Sequence, residues 1–113
     1  MKQQTRAQKL NPPQERRAIA RMRRTVMPVL KQHDVKRASL FGSFARGKET
    51  KNSDLDLLIE FKGQKSLFDL VGLKLALEAK IHRKVDLVTN RALHPALREQ
   101  ILAEQIIVLP AQR

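Results

Sequence analysis

Residues 42 to 56 read GSFARGKETKNSDLD, in which ten residues separate the Gly42-Ser43 pair from Asp54 and Asp56. A Gly-Ser turn can offer backbone N–H groups to phosphate, and glycine lets a ligand approach the backbone closely. Ser43 can also bind phosphate through its hydroxyl. Two neighbouring carboxylates can hold a divalent metal ion. The stretch therefore predicts one site that binds metal ions and phosphate groups together.

The residues around this stretch predict two strands. Val35 to Phe41 reads as a strand that enters the Gly-Ser turn, 43–47 as one short helical turn, and 48–53 as a polar loop. Asp54 to Phe61 is the clearest strand. Side chains at positions i and i+2 of a strand point to the same face, so Asp54 and Asp56 converge there. In the alternative reading, one aspartate caps the strand and the other pairs with a neighbouring Arg or Lys.

A third aspartate lies in the later apolar strand KVDLVT, residues 84–89. A charge such as Asp86 is costly there unless it is paired or bound to a metal. A strand beside Asp54–Phe61 would bring Asp86 to the same end of the sheet. Three carboxylates can hold one or two metal ions, and Asp86 can act as a general base. The alternative for Asp86 is a salt bridge to Arg83 or Lys84.

Arg46 follows the Gly-Ser pair by one short turn. Its guanidinium group can contact phosphates, or it can form a structural salt bridge. The residue pattern leaves both readings open.

The rest of the chain predicts helices between these strands. Residues 1–13 read as a flexible basic arm and residues 14–113 as a single domain. Apolar residues at three- and four-residue steps from Gln14 predict a helix that Pro28 kinks or splits near Met27. His33 and Asp34 close it. We expect an α+β fold with α/β-like order, in which helices flank a mixed sheet.

Two further helices are predicted from their ends. Ser66 and Asp69 have capping-box spacing, which predicts a helix that runs to about His82. A second helix runs from about Pro95 to Glu104 and precedes a short apolar run, residues 106–109. The predicted order alternates four helices with three strands.

The composition indicates an anionic partner. Lys and Arg total 23 against 11 Asp and Glu, and residues 1–40 hold 11 basic and only 2 acidic residues. This basic third either binds nucleic acid, nucleotide phosphates or an acidic protein surface, or is simply a solvated helix face. The absence of cysteine excludes a disulfide framework, and no apolar run reaches the ~20 residues that span a bilayer. We therefore expect a cytoplasmic protein that does not enter membranes.

These motifs resemble the DNA polymerase β-like nucleotidyltransferase superfamily, and specifically its minimal nucleotidyltransferase (MNT) members. The resemblance is carried by LFGSFARG (40–47), SDLDLLIEF (53–61) and KVDLV (84–88), and it extends over about residues 15 to 109. It implies a nucleotidyltransferase fold and Mg²⁺-dependent transfer of a nucleoside monophosphate, with Asp54, Asp56 and Asp86 as ligands of two Mg²⁺ ions.

The resemblance also implies a partner. Many MNT proteins act as antitoxins that transfer AMP from ATP to a tyrosine of a HEPN ribonuclease toxin. This chain contains no Tyr, so an acceptor tyrosine must belong to another protein. Two alternatives stay open: a binding module that neutralises a toxin by occlusion, and a nucleic-acid-binding protein that uses the basic first helix. The second is not favoured, because the chain offers only four Phe and no Trp or Tyr for base stacking.

Overall fold

The computed structural model describes residues 13–110, with side chains from residue 17 onwards. Four strands alternate with four α-helices and one 3₁₀ turn, Asn90–Ala92. The helices are α1 (Pro13–Gln32), α2 (Gly42–Arg46), α3 (Leu67–Ile81) and α4 (Pro95–Glu104). The strands are β1 (Val35–Phe41), β2 (Leu55–Phe61), β3 (Val85–Thr89) and β4 (Ile106–Leu109).

The strands form one mixed sheet in the order β3-β2-β1-β4. β1 is antiparallel to both β2 and β4, whereas β2 and β3 are parallel. The α+β class with a mixed sheet and flanking helices is therefore confirmed. β4 adds a strand to the predicted order, since the short run 106–109 pairs with the edge of β1.

The core lies where α1 and α3 cover the sheet. Alternate residues of β2 point to one face, and Leu55, Leu57 and Ile59 are at most 1% exposed in one cluster with residues of both helices. Asp56, Leu58 and Glu60 occupy the intervening positions, so they point to the opposite face. The residues of α1 and α3 that are fully buried in this cluster are Val26, Leu30, Leu73 and Leu77.

Several local predictions are confirmed. β1 and α4 have the predicted bounds, and the capping box of Ser66 and Asp69 is present at the start of α3. Asp34 has a φ of 60° directly after α1, the left-handed conformation expected of a residue that ends a helix. The arm assigned to residues 1–13 lies outside the described residues except for Pro13, which begins α1.

Two local details differ from the prediction. Of the two outcomes predicted for Pro28, a kink or a split near Met27, the split is not seen, since α1 continues to Gln32. Pro28 is exposed, while Val26 and Leu30 on either side of it are fully buried. Burial of two such side chains is worth about 1.5–3 kcal/mol each and offsets the roughly 3 kcal/mol cost of an internal proline. Asp54, predicted to open the second strand, instead precedes β2, which begins at Leu55.

Within residues 13–110, no helix combines the length and the apolar character that crossing a bilayer requires.

Candidate active site

The Gly-Ser pair lies where β1 turns into the short helix α2. Gly42 has a φ of 73°, a conformation that side chains with a Cβ disfavour. A Cβ at this position would overlap the carboxylate oxygen Oδ2 of Asp56. The backbone of Gly42 therefore packs directly against the Asp56 carboxylate, and glycine is required for both reasons.

The N-terminal end of α2 has no side-chain cap. Phe41 occupies the N-cap position and provides no hydrogen bond from its side chain. The helix ends after Arg46 at Gly47, whose φ is 72° and whose backbone N–H donates to the Phe44 carbonyl. The N-cap side chain therefore accepts no hydrogen bond from the first backbone N–H groups of α2, which begin at Gly42.

Two of the three aspartates are cross-strand neighbours. The parallel register pairs Asp56 of β2 with Asp86 of β3, and the antiparallel register pairs Asp56 with Phe41 of β1. Adjacent strands lie about 4.8 Å apart. Asp54, two residues before Asp56, precedes the same end of β2 and is exposed. The sheet therefore gathers all three residues beside the Gly-Ser turn.

The electrostatics of Asp56 reflect this crowding. Partial burial raises the pKa of Asp56, and the negative charges of Asp86 and then Asp54 raise it further. The positive charge of Arg46 acts in the opposite direction and lowers the same pKa. Burial and like charge both disfavour the ionised form of a carboxyl group. A bound cation would relieve this cost.

No ion pair among residues 17–110 reaches Asp54, Asp56 or Asp86. The alternative of a salt bridge from Asp86 to Arg83 or Lys84 is therefore not seen. The Arg83 guanidinium instead donates to the backbone carbonyls of Thr50 and Ser53, at 3.1 and 2.7 Å.

The donor chemistry of the three aspartates suits a hard divalent cation, because Mg²⁺ prefers carboxylate oxygens and shares its coordination with substrate phosphates. Across the described part of the chain, however, no three His, Cys, Asp or Glu side chains are arranged as a ready metal cage. The residues fit Mg²⁺ by type, and nucleotide phosphates would have to complete the coordination.

Arg46 forms a structural salt bridge, one of the two roles that the sequence left open for it. Its Nη1 donates to Glu104 Oε1 of α4 at 3.1 Å, which links α2 to the end of α4. The Arg46 side chain is still 47% exposed, and its charge reaches Asp56. Arg46 therefore lies between Glu104 and the aspartates.

Arg83 and Glu104 were not predicted as parts of this site. Arg83 entered the sequence analysis only as a possible partner of Asp86, and Glu104 only as a helix end. Their contacts join residues 33 and 58 positions apart, respectively. No periodicity or short motif signals pairings over such distances.

Comparison with known proteins assigns the family. The family model described as polymerase beta, nucleotidyltransferase matches residues 24–113, which include all of the site residues described above. The chain belongs to this nucleotidyltransferase family.

Two relatives of this nucleotidyltransferase cover most of its length. An inferred protein adenylyltransferase of Methanocaldococcus jannaschii is 46% identical over 91 residues, which is 80% of this chain and 98% of the relative. A solved structure named as a minimal nucleotidyltransferase has 42% identity and a TM-score of 0.70, and the match covers 80% of this chain and 92% of that one. The expected MNT resemblance is confirmed.

A more distant structure shares the fold of this nucleotidyltransferase. It contains a tri-AMPylated HEPN toxin of Shewanella oneidensis in complex with an MNT antitoxin. The match has a TM-score of 0.66 and 18% identity, and it covers 83% of this chain and 74% of the other. At this identity the likeness concerns the fold alone.

Proposed function

We propose that this nucleotidyltransferase is an antitoxin that transfers AMP from ATP to a tyrosine of a HEPN-type ribonuclease toxin. The observation that carries the proposal is the register that sets Asp56 opposite Asp86, beside Asp54 and the Gly42 turn. The adenylyltransferase relative supports the reaction type. The fold shared with an MNT antitoxin bound to an AMPylated toxin supports the partner class.

Each site residue has a role in the proposed reaction. Asp54, Asp56 and Asp86 would hold two Mg²⁺ ions, which would neutralise the triphosphate charge and stabilise the attacking and leaving oxygens. Gly42 and Ser43 would bind phosphate oxygens through their backbone N–H groups, together with the Ser43 hydroxyl. Arg46 would add a positive charge to the same phosphates.

The bond changes follow from this arrangement. The tyrosine oxygen of the partner attacks the α-phosphorus of ATP, and the bond from that phosphorus to the β-phosphate bridging oxygen breaks. Pyrophosphate leaves, and AMP stays on the tyrosine oxygen. Asp86 accepts the phenolic proton as general base. The chain itself has no Tyr, so the acceptor is on another molecule. Since ATP is the substrate, we place the reaction in the cytoplasm.

A transfer assay tests this proposal. The wild-type chain would be incubated with ATP labelled at the α-phosphate, Mg²⁺ and a HEPN-type protein that forms a complex with it. Label should appear on the HEPN protein, and it should disappear when the acceptor tyrosine is replaced by phenylalanine or when Asp56 is replaced by Asn. A complex that forms without any labelling would contradict the transfer reaction.

A second candidate function is neutralisation by occlusion. It is favoured by the lack of a preassembled three-ligand metal cage within residues 13–110 and by the engagement of Arg46 with Glu104. Under this alternative, D56N would silence the toxin in cells as well as the wild type does. Under the transfer reaction, D56N would fail to protect cells although it still binds the toxin.

A further inference from the structure

Arg83 contacts two segments of the candidate active site, the loop at 50–53 and the helix α2, and it lies just before the third, the strand β3. It stands between α3 and β3, three residues before Asp86. Its Nη1 donates to the carbonyls of Thr50 and Ser53, and the latter residue directly precedes Asp54. Its Cζ lies 4.9 Å from the centre of the Phe44 ring, next to Ser43. Hydrogen bonds from a charged guanidinium are stronger than those from a neutral donor.

The loop that Arg83 contacts already has a closed shape of its own. Ser53 N donates to Thr50 O at 3.1 Å, and Thr50 N donates to Ser53 Oγ at 2.8 Å. Asn52 N also donates to Thr50 Oγ1 at 3.2 Å. These bonds define the turn without Arg83. The contribution of Arg83 is therefore to fix where the turn lies relative to β3.

The backbone on both sides of Asp54 is held by consecutive residues. Ser53 O accepts from Arg83 at 2.7 Å, and Leu55 N donates to the backbone carbonyl of Lys84 at 2.8 Å. The Asp54 carboxylate has no hydrogen bond or ion pair among the described residues. Asp54 is outside β2, so the strand register does not hold it as it holds Asp56. The position of Asp54 then depends on these two backbone contacts, and Arg83 supplies the one on the loop side.

Phe44 extends this arrangement to the Gly-Ser turn. Its ring is 5% exposed and belongs to the core cluster, which fixes α2 against the sheet. A guanidinium within about 6 Å of an aromatic ring centre is attracted to the ring face. Arg83 thus links a rigid residue of α2 to the loop that precedes Asp54.

We propose that Arg83 is a positioning residue for the transfer reaction, which holds Asp54 at the distance from Asp86 and from Ser43 that Mg²⁺–ATP requires. The inference rests on the proposed function of the three aspartates. It adds a residue that touches neither metal nor nucleotide and acts through the loop at 50–53.

The test compares R83M with R83K and with the control R91M. Met keeps the unbranched stem of the side chain but removes the charge and the donors, whereas Lys keeps the charge and an N–H donor group on a shorter, non-planar side chain. Arg91 is exposed at the other end of β3, and its side chain has no hydrogen bond or ion pair among the described residues. Each variant would be assayed for AMP transfer across a Mg²⁺ titration, with its melting temperature measured in parallel.

We expect R83M to stay folded at the assay temperature, to lose about 10- to 100-fold in kcat, and to need more Mg²⁺ for half-maximal rate. Its KM for the partner protein should change little. R83K should lie between R83M and wild type, and R91M should match wild type. If R83M does not fold, R83K carries the comparison. An unchanged kcat and Mg²⁺ requirement, or a loss of rate that only follows the unfolded fraction, would overturn the inference.

Amide hydrogen exchange separates this inference from the proposed function. If the wild type transfers no AMP, the proposed function fails, but the loop contact is still measurable. Amides 49–54 should then exchange faster in R83M than in R91M, while amides of α3 exchange equally in both. Equal exchange at 49–54 would overturn the positioning role independently of any activity.

Discussion

Asp56 and Asp86 lie directly opposite each other across the parallel pairing of β2 with β3. The charge of Asp86 raises the pKa of Asp56, after the larger effect of burial. The sheet thus holds together two like charges that would separate in an unfolded chain. This arrangement costs stability in the absence of a cation, and that cost can be measured.

The first prediction concerns stability and pH. Because the pKa of Asp56 is raised above its ordinary value of 3.8, the folded state favours the protonated form. The associated stability is present below that ordinary value and is lost as pH rises through the raised pKa. We therefore expect D56N to melt above the wild type at neutral pH without metal, with the difference shrinking in acid. Because Asp56 is only partly buried, solvent screens the repulsion, and the relief is at most about 1 kcal/mol, a rise in melting temperature of no more than roughly 4–8 °C.

Thermal melts in chelator across the acid-to-neutral range check this expectation. E99Q, which removes an exposed carboxylate on α4, is the matched control and should melt as the wild type does. A D56N protein that melts below the wild type at neutral pH would show that Asp56 stabilises the fold.

The second prediction concerns metal and nucleotide. Mg²⁺ with ATP should raise the melting temperature of the wild type more than either alone, since the cation relieves the carboxylate repulsion and links the protein to the phosphates. D54N and D86N should lose this joint effect, and their transfer rate should fall by about 100-fold or more, because even outer partners of metal ligands cost 10–100-fold.

D34N provides the control for the second prediction. Asp34 is exposed and pairs with Lys65 at 2.9 Å, and Asn tolerates its positive φ. D34N should therefore transfer AMP as the wild type does. A joint effect of Mg²⁺ and ATP that survives in both D54N and D86N would place the metal site elsewhere.

The third prediction compares two glycines with similar backbone conformations. Gly42 and Gly63 have φ values of 73° and 68°. A Cβ would overlap the Asp56 carboxylate at Gly42 but would meet nothing within 4 Å at Gly63. G63A should cost only the backbone strain of a left-handed residue, about 1–2 kcal/mol. G42A should cost more and should also stop AMP transfer.

Urea unfolding of both glycine variants gives the two free energies, and the difference between them isolates the contact with Asp56. Equal destabilisation of G42A and G63A would mean that the Asp56 side chain moves aside without penalty.

The fourth prediction concerns Arg46. E104Q removes the charge partner of Arg46, whose Nη1 donates to Glu104 at 3.1 Å. We expect a lower KM for ATP. In the wild type the Arg46 guanidinium must leave the Glu104 carboxylate to bind the triphosphate, whereas in E104Q no ion pair has to be broken. The loss of a partly exposed ion pair should cost only about 0.2–1 kcal/mol. Steady-state kinetics over an ATP series measure the change, with E99Q again as the matched control; an unchanged KM would leave Arg46 a purely structural role.

The strands and helices were predictable where the local pattern is strong. β1 runs straight into a glycine, and α4 begins at Pro95, so both ends are marked in the sequence. The fourth strand was missed because four residues after a helix carry no periodicity of their own, and only their pairing with β1 makes them a strand. The helix continues through Pro28 because Leu30 beyond it is buried by tertiary packing, which the local pattern does not reveal.

The candidate site also has a part that the local sequence predicts and a part that depends on tertiary contacts. The placement of Asp56 and Asp86 follows from two apolar strands that pair side by side. The roles of the three aspartates remain predictions that the variants above test. The contacts of Arg46 with Glu104 and of Arg83 with the loop at 50–53 depend on how distant elements meet. Local propensity carries no information about such contacts.

The parallel pairing of β2 with β3 has a consequence for biosynthesis. Antiparallel neighbours can form as soon as a hairpin leaves the ribosome, but β3 reaches β2 only after α3 has crossed the sheet between them. Asp86 is then the last of the three acidic residues to arrive. A nascent chain that already displays Asp54 and Asp56 would remain chemically inert until β3 docks beside β2, so synthesis itself would delay the onset of any reaction with ATP.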